Sequence, residues 1–158
     1  MQSGELKLAV DSIFFNNFFI AMMLFLGAIS FGLITALMLI TNGLFVGYYA
    51  TNLPLAIFLP LTLPHGIFEI SGIIIAATGG FTLISFIAHF LNDLTLFEKN
   101  KWGERPNFQD RIKSSFNKNY KIISQSLILL GVATALLILA AFIEVYVTIY
   151  IANFIIKI

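Results

Sequence analysis

From Ser12 to Asn92 the chain is a nearly unbroken run of Ile, Leu, Phe, Ala and Gly, with Glu69 its one formally charged side chain. An uncharged stretch that long belongs in a bilayer, where about 20 apolar residues make one helical crossing. Turn signals divide it. A first segment, from about Ile13 to Ile40, closes at Asn42-Gly43, a pair that tolerates the left-handed conformation of a helix C-terminus. A second, from about Leu44 to Leu59 or Leu61, is short for a crossing and contains Pro54 and Pro60. It is expected to be kinked or partly re-entrant, with its freed backbone groups buried in protein. Pro60 and Pro64 bracket the next turn, and Pro64 suits the first position of a helix, where its missing N–H is no loss. The third segment runs from there to about Phe90.

Asn92 to Lys121 is the one hydrophilic stretch, with Lys99, Lys101, Arg105, Arg111, Lys113, Lys118 and Lys121 set against Asp93, Glu98, Glu104 and Asp110. From Pro106 it reads as an amphipathic helix, Phe108, Ile112, Phe116 and Tyr120 being spaced by four, and such a helix is expected in the headgroup region. The fourth segment begins near Ile122 and passes Ile143, interrupted by Glu144. The expectation is an all-α, polytopic transmembrane bundle of about four spans. Residues 1–158 form a single transmembrane domain, with 92–121 as its basic loop. Met1 to Asp11 shows no basic leader and no small-residue cleavage site, so the first apolar segment is taken as the first span.

Composition narrows the class further. The chain is 59% hydrophobic and 11% charged, with a mean hydropathy of +0.94. Net charge is +1 and there are no cysteines, so neither a nucleic-acid patch nor disulfide or thiolate chemistry is indicated. Seven of the nine Lys and Arg lie in the hydrophilic loop, which places that loop in the cytoplasm by the positive-inside rule. Small residues recur every four positions: Ala28, Gly32 and Ala36; Gly43 and Gly47; Gly72, Ala76 and Gly80; Gly131 and Ala135. That spacing lets helices approach closely in lipid and argues for a tight bundle.

The candidate chemistry lies where the polar residues fall. His65 and Glu69 are four apart on one helix and share a face. Glu144 follows Tyr120 by roughly 36 Å of helix at 1.5 Å per residue, one core thickness, which returns it to the level of His65 and Glu69. Asn16 and Asn17, at the start of the first segment, meet the same level; Asn42 stands at that segment's far end. An imidazole and two carboxylates suit zinc or another divalent cation. A carboxylate at bilayer depth costs about 2.5–3.5 kcal/mol, so these groups require a reason to be there. Hydrogen bonding that pins the bundle is one. Proton or cation handling by a small transporter or channel component is a second. A metal-dependent hydrolase comes third, because zinc proteases use two histidines on one helix, and here His89 lies at the opposite end from His65.

Asn16-Asn17, Asn42-Gly43 with Gly47, Pro64-His65-Gly66-Ile67-Phe68-Glu69 with Gly72 and Gly79-Gly80, and Ala141-Phe142-Ile143-Glu144 resemble the stage II sporulation protein M family. The resemblance covers about Ile13 to Thr148, and the Pro-His-Gly-x-x-Glu block is its most specific part. It implies a multi-pass helical protein of the cell membrane without established enzymatic activity, acting as an anchor or assembly scaffold. Its partners would be lipid and other membrane or envelope proteins, with a homo-oligomer as a further candidate. The family-typical polar residues are Asn17, Asn42, His65, Glu69 and Glu144, so the full candidate set is Asn16, Asn17, Asn42, His65, Glu69 and Glu144. Many members carry a further hydrophobic segment upstream, whereas eleven residues precede Ser12 here.

Overall fold

The structure is a computed structural model that describes residues 2–95, 107–148, 150, 151 and 154, the side chains of 2–9, 28 and 29 aside. Among these residues every element is helical. In chain order they are α1 (Gln2–Leu26), a 3-10 turn (Gly27–Ser30), α2 (Leu33–Asn52), α3 (Leu55–Thr95), α4 (Phe108–Ile143) and a π turn (Glu144–Thr148). Three stretches are long and apolar enough to cross a membrane, Leu33–Asn52, Leu55–Thr95 and Phe108–Thr148, while Val10–Leu26 is a shorter apolar helix. This is a helical membrane protein.

The breaks fall elsewhere than the turn residues suggested. The first segment is divided at Gly27–Ser30, where Phe31 and Gly32 both take positive φ, 53° and 86°. The break is closed by its own hydrogen bonds. Ser30 Oγ donates to Gly27 O at 2.8 Å and accepts from Ile34 N–H, and the buried Thr35 hydroxyl donates to Leu24 O at 2.8 Å. Gly27 is required there, because a Cβ would stand 2.8 Å from the Thr35 backbone nitrogen.

Asn42-Gly43 does not end a helix. The Asn42 amide donates to Met38 O at 3.0 Å within α2, which continues to Asn52. The real stop is Leu53, extended at φ −120° and ψ 143° ahead of Pro54, as the residue before a proline prefers. The expected second segment is therefore shared between the end of α2 and the start of α3. Pro60 and Pro64 lie inside α3 rather than bracketing a turn. Lipid offers no replacement partner for opened backbone groups, and that penalty favours running the helix through. The amphipathic stretch is also part of a longer helix. It begins at the Asn107 cap, whose side chain accepts from Asp110 N–H at 2.8 Å, and continues unbroken into the last apolar segment as α4. The loop residues 96–106 lie outside the described residues.

α1, α3 and α4 build the core. Ala21, Ala76, Ala133 and Leu137 form one cluster, Val10, Ala141 and Val145 a second, and Leu24, Ile73 and Ala77 a third. Glycines let the helices approach: a Cβ at Gly72 would meet Leu137 at 3.0 Å, and one at Gly80 would meet Leu24 O at 2.7 Å. The fully buried Ser126 ties α4 to α3 by donating to Gly79 O at 2.8 Å. Such bonds inside membrane bundles average about 0.6 kcal/mol, so Ser126→Ala is expected to lower stability by roughly that amount in a denaturant titration of the detergent-solubilised protein. A cost well above 2 kcal/mol would mean that Ser126 does more than bridge the two helices.

At the hydrophilic end the α3–α4 pairing goes on in polar contacts. Asp93 accepts from Lys118 Nζ at 2.6 Å and from Asn119 Nδ2 at 2.7 Å, and Ser115 Oγ donates to Phe90 O at 2.9 Å.

Candidate functional site: a His–Glu–Glu cluster

The opposite end of the bundle holds a second group of polar side chains. On α3, one turn separates His65 from Glu69, so both point to the same face. Glu144 opens the π turn that follows α4. One ligand atom from each of His65, Glu69 and Glu144 lies within 4.8 Å of the others, and all three residues are partly buried. α1 completes the enclosure from the third side. A cavity of about 320 Å³ is lined by Ser12, Ile13, Asn16, Asn17, His65, Glu69 and Glu144. Asn17 is buried, and its Oδ1 accepts from Asn16 Nδ2 at 3.5 Å.

The structure thus brings together five of the six candidate residues. Asn42 is the exception. It lines a separate and mainly apolar groove of about 270 Å³ between α2 and α3, together with Gly43, Val46, Thr62, Gly66 and Ile73. Glu69 borders that groove too, so the two spaces meet at its side chain. Because α2 runs on past Asn42, the amide stays on the α2 side of the groove and outside the polar cavity.

Two residues of the site escaped sequence reasoning. Ser12 is in the cavity wall, and Thr148 hydrogen-bonds the imidazole, its Oγ1 lying 3.1 Å from His65 Nδ1. Thr148 had a legible signal: it stands four residues after Glu144 in an otherwise apolar run. His89 is remote, roughly 36 Å along α3 from His65. Its Nδ1 lies 2.7 Å from Ser85 O of its own helix.

The donor atoms are one imidazole nitrogen and two carboxylate oxygens. In a tetrahedral zinc site with bonds near 2.1 Å, ligand atoms lie roughly 3.4 Å apart. The three atoms here lie within 4.8 Å of one another, so the widest separation must close by up to about 1.4 Å to reach that spacing. The open cavity leaves room for water or another oxygen donor at the remaining positions.

Residues 2–149 match the family described as stage II sporulation protein M. The chain belongs to that family. An uncharacterised protein of Methanocaldococcus jannaschii is 36% identical to this family member over 148 residues, covering 90% of this chain and 72% of the relative. No solved structure matches.

Proposed function

We propose that this member of the stage II sporulation protein M family is a non-enzymatic, multi-pass anchor of the cell membrane. In this reading a divalent cation held by His65, Glu69 and Glu144 locks its polar end. The observation that carries the proposal is the convergence of three ligand atoms within 4.8 Å from two helices far apart in sequence. Two carboxylates and a neutral imidazole balance the charge of a divalent ion, so the metal makes the cluster electrically neutral in a medium that penalises charge.

The surroundings favour holding over turnover. Zinc proteases set a general-base Glu beside their ligands, whereas the other cavity-lining residues here are Ser12, Ile13, Asn16 and Asn17. Passage of ions needs further polar layers, whereas between Gly72 and Gly80 the buried face of α3 is Ile, Ala and Gly. Lipid and other membrane or envelope proteins are the partners this reading implies. α2 leaves most of its side chains exposed to them.

Elemental analysis of the purified protein tests the proposal. Wild type is expected to carry about one divalent ion per chain, most simply zinc, and His65→Ala close to none while remaining helical. Metal-free wild type after supplementation with zinc, manganese and iron in turn would overturn it.

A further inference from the structure

We infer that Thr148 is a positioning residue that fixes the tautomer of His65, keeping the proton on Nδ1 and leaving the Nε2 lone pair free to take a ligand. The inference rests on the metal reading only for what Nε2 binds. The tautomer is inferred from the two contacts of the Thr148 hydroxyl.

A threonine hydroxyl has one proton to donate and two lone pairs to accept with. Thr148 Oγ1 lies 3.5 Å from Ile143 O, which can only accept, and 3.1 Å from His65 Nδ1. With the hydroxyl proton directed to the carbonyl, the oxygen presents a lone pair to the ring, and Nδ1 must supply the hydrogen. Nε2 is then the unprotonated nitrogen. The opposite assignment would put the ring proton on Nε2 and remove that nitrogen as a ligand. Thr148 is only 8% exposed, so water has little access to replace it.

The π turn is what makes the pairing available. Glu144 and Thr148 bound the same five-residue turn, so one irregular element supplies both a carboxylate to the cluster and a hydroxyl to the imidazole. Single π turns inside α-helices are rare and concentrate at functional sites. This one is held in place by Val145, which packs with Ala141 and Val10. Ligating histidines commonly donate their second ring N–H to a neighbouring oxygen, and loss of that oxygen typically weakens metal binding 10–100-fold.

Nitrogen-15 NMR of histidine-labelled full-length protein reads the tautomer directly, with His89→Gln removing the second of the two imidazoles. The metal-free protein is expected to show hydrogen on Nδ1, and added zinc is expected to shift Nε2. Thr148→Val should mix the tautomers and weaken zinc binding about 10–100-fold, and Thr148→Ser should restore both. Hydrogen on Nε2 in the metal-free protein would overturn the inference, as would a Thr148→Val variant with unchanged ring signals and zinc affinity. If no zinc binds but the Nδ1 proton is present and depends on the residue 148 hydroxyl, the positioning role stands and the metal reading falls.

Discussion

Gly80→Ala is expected to destabilise the bundle by about 1–3 kcal/mol, the usual cost of inserting atoms into a filled core. The added Cβ would lie 2.7 Å from Leu24 O, 3.0 Å from Phe25 O and 3.1 Å from Phe25 Cα. All three atoms are backbone, so no side-chain rotation relieves the clash and α1 itself must move from α3. Gly80→Leu should go further and separate the two helices. Gly131→Ala is the matched control, since a Cβ there meets nothing within 4 Å. Thermal unfolding followed by circular dichroism in detergent should rank Gly131→Ala level with or above wild type, Ala being the better helix former, with Gly80→Ala below both and Gly80→Leu lowest. Equal midpoints for Gly80→Ala and Gly131→Ala would show that α1 is not seated as described.

That contrast also shows how far the small-residue pattern could be read. Gly72, Ala76 and Gly80 lie on the buried face of α3, as their spacing implied. On α4 the same rule picked the wrong phase. Gly131 and Ala135 face outward, whereas Ala133, Leu137, Ala140 and Ala141 face in. In lipid both faces of a helix are apolar, so hydropathy cannot choose between registers offset by two residues. The helix ends were obscured for a related reason. Asn-Gly and Pro are strong stop signals in water, where released backbone groups find solvent, but Asn42-Gly43, Pro60 and Pro64 all sit in continuous helix. The break at Gly27–Ser30 had Gly27, Ser30 and Gly32 to mark it, and it is closed by the Ser30 hydroxyl bonding both sides of the turn.

The polar site was easier to read. Charge in lipid is rare enough to stand out, and 1.5 Å per residue carries Glu144 back to the level of His65 whatever the packing. Asn16 and Asn17 followed from the same argument, because the first apolar segment, from about Ile13, begins at the level that Glu144 reaches. What the sequence lacked was side-chain direction. The cavity walls show Asn42 on the far side of Glu69, and the π turn that presents Thr148 has no sequence signature of its own.

Glu144→Gln and wild type should exchange rank in stability when a divalent cation is added. Without metal, the Glu69 and Glu144 oxygens within 4.8 Å of each other repel wherever both are charged, and among the described residues lining the cavity His65 is the one basic side chain beside them. Glu144→Gln removes that repulsion while keeping the side chain's size, so the metal-free variant should be as stable as metal-free wild type or more so. Adding the cation reverses the order. A ligand that binds only the folded state stabilises it by RT ln(1 + [L]/Kd), about 2.7 kcal/mol at one hundred times Kd. Wild type should gain that amount, and the variant, lacking one of two carboxylate ligands, should gain far less. The crossing separates the two explanations of the cluster. If His65, Glu69 and Glu144 merely hydrogen-bond one another, Glu144→Gln is the less stable protein both with chelator and with metal, and the two unfolding curves never change order. A metal centre requires the exchange. The measurement is a pair of chelator and metal titrations on the same two proteins at one pH.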